Sequence, residues 1–204
     1  MISDSVPWKE DLAKIADRVE RRGIQSRWTS RTAFLVERDV MVGCFAIRKL
    51  LDTPGKLSDE CRSELVSVVA YPVARAAPDF WDAYQFWDFY DLEQEQSKPE
   101  RIGLRDLCNR VIHSLVFGFE GSEHAGSRLS GIFVASDVTS KKSLTSISIP
   151  ELARVFRVVA DDQVVSLQMV RDAQGRNKVV RASRNLSDAE KAVAARFELR
   201  NRRA

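Results

Sequence analysis

The chain is expected to be an α+β protein: a bundle of about five helices, then a small antiparallel sheet in the order β-β-α-β-β-α. Two observations predict this. Apolar residues recur at helical spacing from the N-terminus to about residue 117, and beyond a Gly/Ser-rich stretch at 118–131 the period shortens to two. The expected organisation is therefore a helical region at 1–117, a connector at 118–131 and an α+β region at 132–204. Neither portion looks self-sufficient, so one composite domain is expected.

The first helix starts near Pro7, carries Glu10 and Asp11 in its first turn, and ends in Arg21 and Arg22 before Gly23. Trp8, Leu12, Ile15 and Val19 form its apolar stripe. A second helix, from about Arg31 to Leu51, is apolar around nearly its whole circumference and is expected at the centre of the fold. Glu37 and Arg48 share a stripe with Met41 and Cys44, so both should be partly buried and in need of partners. Thr53-Pro54-Gly55 stops that helix. Ser58 then caps a third, whose face is Cys61, Leu65, Val68 and Val69 and which ends before Pro72. An aromatic helix from about Asp79 to Gln94 and a fifth helix from about Glu100 to Phe117 complete the bundle.

After the connector, Ile132 to Ser136 and Leu144 to Ile149 are β-rich runs joined by a polar turn. Pro150-Glu151 opens a helix with Leu152, Val155, Phe156 and Val159 on one face. Val165, Leu167 and Met169 alternate, Asp172 to Gly175 turn the chain, and Val179-Val180 return it. A capping box, Ser187-x-x-Glu190, starts a last helix presenting Val193 and Phe197.

The bulk figures are those of an ordinary soluble protein: 204 residues, 44% hydrophobic, 30% charged, net charge +3. Cys44, Cys61 and Cys108 are odd in number and widely spaced, which suits buried thiols rather than disulfides or zinc ligands. The N-terminus carries acids where a secretory signal needs bases, and no apolar run approaches the ~20 residues of a membrane span. The expected location is the cytoplasm, with no membrane, metal or cofactor. Charge is unevenly spread: residues 79–100 are acidic and residues 171–203 basic.

Only two histidines are present, which limits the enzyme classes open to the chain. His113 follows Asp106, Asn109 and Arg110 at helical spacing, a polar strip suited to acid-base work on a phosphodiester or other phosphoester, RNA included. The competing reading is a structural seam in which these groups satisfy one another or Glu37 and Arg48. Seven of the 17 aromatics fall between Phe80 and Tyr90, too many for one core face. Trp81, Tyr84, Trp87 and Tyr90 are therefore candidates for contact with a protein partner or a second copy. The interleaved Asp79, Asp82, Asp88 and Asp91 disfavour nucleobase stacking there, and make only a weak metal motif.

His124 lies in the Gly-rich connector, which lacks the order of a phosphate-binding loop, and Ser122 and Ser127 lack a hydrolase context. Arg171, Arg176, Lys178, Arg181 and Arg184 flank the second hairpin, and such a ribbon suits an anionic partner such as nucleic acid. The favoured expectation is a non-enzymatic interaction protein that uses the aromatic acidic helix and the basic hairpin. The alternative is a hydrolase centred on His113.

Overall fold

The computed structural model describes residues 2–75, 82–121 and 128–192. Helix α1 (Val6–Gly23) has Pro7 in its first turn and buries Leu12, Ile15 and Val19 as its spacing requires. Helix α2 (Ser30–Asp52) is capped by Thr29, whose hydroxyl accepts the Thr32 amide at 3.1 Å. It buries Val36, Val40, Cys44, Ile47 and Leu50, but leaves Phe34, Val42 and Phe45 exposed, so it is enclosed on fewer sides than its composition implies. Its buried charge is Asp39 rather than Glu37, which is exposed. Asp39 accepts from Arg18 Nε at 3.0 Å, Arg22 Nη1 at 2.5 Å and Arg38 Nη2 at 2.9 Å. Burial pushes the Asp39 carboxyl up, but the guanidinium hydrogen bonds outweigh it and hold the group below its ordinary range.

The five-helix expectation fails from residue 65 onward. Helix α3 (Asp59–Arg62), capped by Ser58, is a single turn, and Leu65–Pro72 is strand β1. Val66, Val68 and Ala70 alternate inward along it, and the β-branched run suits a strand. The aromatic segment is a 3-10 turn, Asp82–Asp88, interrupted at Gln85 and followed by a β-bridge between Val73 and Tyr90. The expected fifth helix is three elements: β2 (Lys98–Gly103), α4 (Leu104–Ile112) and β3 (Ser114–Glu120). Of the expected connector, Gly118 to Glu120 belong to β3 and Gly131 opens the next strand.

The C-terminal elements follow expectation. Strands β4 (Gly131–Ser136) and β5 (Ser143–Ser148) form a hairpin, and α5 (Ile149–Ala160) follows under a Ser148 cap. Strands β6 (Ser166–Arg171) and β7 (Asn177–Ser183) form a second hairpin with a bulge at Gln168/Met169. The Ser187/Glu190 capping box is formed, with the Ser187 amide on Glu190 Oε2 at 2.7 Å and the Glu190 amide on Ser187 Oγ at 3.3 Å. Val193 and Phe197 lie outside the described residues.

The strands of the expected β-β-α-β-β-α unit do not share one sheet. The main sheet is antiparallel with five strands in the order β2-β1-β5-β4-β3, so strands from the expected helical region flank the β4–β5 hairpin. Strands β6 and β7 form a separate two-stranded ribbon. One face of the main sheet, Val66, Val68, Ile102, Ile132, Val134 and Ile147, joins the core residues of α1, α2, α4 and α5. The Phe156 ring of α5 packs directly on α2 because Gly43 has no side chain: a Cβ there would lie 2.8 Å from that buried ring. The other face carries a smaller cluster of Tyr71, Phe86, Tyr90, Val116, Phe133 and Leu144. Among the described residues no helix is long and apolar enough to cross a membrane.

Candidate functional site

Asp106, Asn109 and Arg110 lie on α4, and His113 caps its C-terminal end, its amide donating to the Asn109 carbonyl at 3.0 Å. Arg110 donates from Nη2 to Asp106 Oδ2 at 2.9 Å and from Nη1 to Thr145 Oγ1 at 2.8 Å, and its Nε is buried without a hydrogen-bond partner. Asn109 Oδ1 accepts from Arg48 Nη1 at 2.6 Å, and Asp52 receives both Arg48 and Arg105. The expected partner Arg48 is therefore present on α2, whereas Glu37 takes no part in this seam. The His113 side chain is exposed at the helix end. Asn109 is thus committed to joining α4 to α2 and Arg110 to joining it to the sheet, while Asp106 pairs with Arg110 within α4.

Of the four proposed interface aromatics, Trp81 lies outside the described residues, as do Phe80 and Asp79. Tyr84 is 81% exposed and Trp87 48% exposed on the 3-10 turn. Tyr90 is 3% exposed and is corrected to a core residue: its hydroxyl donates to the Ser140 carbonyl at 2.9 Å, and burial pushes its pKa up to about 12. Phe86 is also buried, stacked obliquely on Phe133 at 5.6 Å. The broken turn and the bridge direct alternate rings inward and outward, which a regular helix would not. His124, Ser122 and Ser127 are outside the described residues. Among the described residues no group of three His, Cys, Asp or Glu side chains is arranged to hold a metal.

The basic ribbon is built from a polar base and an exposed far half. At the base Asp162, fully buried, accepts the Ser58 amide at 2.8 Å, the Ser58 hydroxyl at 2.6 Å and Arg184 Nε at 2.6 Å, while the Lys9 ammonium donates to the Asp162 carbonyl. Burial pushes the Asp162 carboxyl up, but the Ser58 and Arg184 hydrogen bonds outweigh it and hold the group below its ordinary range. The Ala182 amide donates to Asp59 at 3.1 Å, and Ser166 Oγ to Glu190 at 2.7 Å. Beyond this clamp Met169, Val170 and Val180 are about half exposed. Arg171, Arg176, Lys178 and Arg181 are exposed, Arg176 being paired with Asp172 of its own turn at 2.9 Å. Arg184 is spent on the clamp and is not a free anion contact. Lys178 pairs across the ribbon with Val170, and Arg181 with Gln168.

A further site was not visible in the sequence. On the face of the main sheet away from the helices, Ser67 of β1 and Ser146 and Ser148 of β5 floor a cleft of about 650 Å³. Glu120 of β3 lies opposite Gly131 of β4 and extends across it, so that Oε2 accepts the Ser146 hydroxyl at 2.9 Å on the strand beyond. A Cβ at Gly131 would lie 2.5 Å from that oxygen, so the glycine is what lets the carboxylate lie flat. Tyr71 stands nearby, its phenol raised above the ordinary value by burial and by the charge of Glu120. Glu151 closes one end but is already engaged, accepting the Ser67 amide at 2.8 Å and Arg154 Nε at 2.7 Å. The cue that was missed is strand register, since Gly131 and Ser146 meet Glu120 only once β3, β4 and β5 are paired. No family model, curated protein or solved structure matches this chain.

Proposed function

We propose that the chain is a non-enzymatic interaction protein whose β6–β7 ribbon contacts nucleic acid, with the exposed Tyr84 and Trp87 turn as a second surface for a protein partner. One observation carries the reading. The far half of the ribbon stands in solvent on both faces, and Arg171, Lys178 and Arg181 form no ion pair among the described residues. Two strands about 5 Å apart fit the ~12 Å major groove of a duplex, with cations positioned for phosphates and apolar side chains for base methyls. The His113-centred phosphoester hydrolase is the weaker reading, because Asn109 is held by Arg48 and Arg110 by Asp106 and Thr145.

The test is fluorescence anisotropy with a labelled duplex across a salt series. The expected affinity falls steeply with ionic strength, and replacing Arg171, Lys178 and Arg181 together by Ala lowers the log-log slope by about 3. Binding that ignores salt, or a triple variant that binds like the parent, removes the ribbon from the account.

A further inference from the structure

We propose that the cleft on the open face of the main sheet binds a small organic cation, a primary ammonium on a short apolar body, with the Glu120 carboxylate as its counter-ion. This site is independent of the ribbon. Glu120 forms no ion pair among the described residues, and its one side-chain hydrogen bond is the Ser146 hydroxyl. A half-buried carboxylate with a single neutral donor retains unmet acceptor capacity, and placing it over the middle of a sheet carries a desolvation cost that a cation would offset.

The neighbouring acids do not compete for that cation. Glu151 is neutralised by Arg154, and Glu100 has Arg110 at 3.9 Å. A metal is disfavoured by the donor set: one carboxylate and one hydroxyl fall well short of the six or more oxygens a calcium-like ion gathers. Anions are disfavoured because Glu120, a carboxylate with no ion-pair partner among the described residues, would repel them, and Arg101 is the single cation lining the cleft.

Shape then selects the organic part. Small serines leave room above the floor, while Val69, Pro99 and the Tyr71 ring supply an apolar wall beside the carboxylate. An ammonium group can donate to Glu120 and to the Ser146 oxygen together while a short hydrocarbon lies on Val69 and Tyr71, where the ring also attracts positive charge.

The probe is n-butylammonium, compared with n-butanol, which has nearly the same shape and no charge. Amide resonances of Glu120, Gly131 and Ser146 are followed by NMR as each is added. The expected result is a saturable shift with the amine in the millimolar range and none with the alcohol. Glu120→Gln, which keeps size and hydrogen bonding, should weaken the amine by about tenfold or more while its melting temperature stays with the parent. Equal shifts from the alcohol, no saturable shift from the amine, or undiminished binding by Glu120→Gln would each overturn the proposal. The amine-alcohol comparison needs no variant, so the test survives a substitution that fails to fold.

Discussion

Strand β4 buries all six of its residues, whereas β6 buries only the first of six. Both are short and rich in β-branched or long apolar side chains, so composition does not separate them. Position does: β4 lies between β3 and β5 with α4 packed beside it, while β6 has one neighbour and nothing described beyond its far half. The main sheet is held by apolar area and the ribbon by a polar clamp at its base. A two-stranded hairpin alone is marginal in water, so the buried Asp162 hub is what fastens this one to the fold.

The largest test of that contrast is Phe156→Ala. It empties a fully buried site against Gly43 and should cost about 3–5 kcal/mol in chemical denaturation, lowering the stability of the whole fold. A loss under 1 kcal/mol, about that of a surface change, would mean that the helix layer is not the principal support.

Asp162→Asn comes next, at about 3 kcal/mol, because it leaves Arg184 and Lys9 facing an uncharged group. Hydrogen exchange should show the amides of β6 and β7 losing protection before those of β4. The Asp162 carboxyl is depressed in the folded state, so its contribution is present above the unfolded value of about 4 and is lost as pH falls through the lower folded value. The parent should therefore lose stability in acid more steeply than Asp162→Asn, and equal acid sensitivity would dismiss the clamp.

The smallest effect makes the comparison most directly, by applying one chemical change to both regions. Val134→Thr in β4 puts a hydroxyl into the core and should cost about 1–3 kcal/mol. Val180→Thr in β7, half exposed, should stay within about 0.5 kcal/mol. Similar costs at the two positions would show that the ribbon is covered after all.

Both ends of the chain were legible where periodicity and punctuation agreed. Pro7 and Gly23 bracket α1, the Asp172 to Gly175 turn sets the second hairpin, and Ser187 with Glu190 forms the capping box as written. Reading failed between Leu65 and Glu120, where short elements follow one another and the punctuating residues mislead: Pro99 lies inside β2 and Gly118 inside β3 rather than between elements. Leu65, Val68 and Val69 fit a helical face as well as Val66, Val68 and Ala70 fit a strand, and the sheet chose the latter. Real helical spacing in Leu104–Ile112 was extended in both directions over two strands. The pairing of Arg48 with Asn109 was anticipated because each side sits on a legible helix face. Glu120 was not, because its surroundings come from three strands and depend on their alignment.

Strand β2 forms one margin of the main sheet, and it carries Pro99 among Lys98, Glu100 and Arg101. A proline has no amide hydrogen to offer an incoming strand, and the charged neighbours resist an apolar one. The opposite margin, β3, has only Ser114 and Glu120 as polar side chains around Leu115, Val116, Phe117 and Phe119. The two margins of the sheet therefore differ among the described residues: β2 carries features that oppose an added strand, and β3 lacks them.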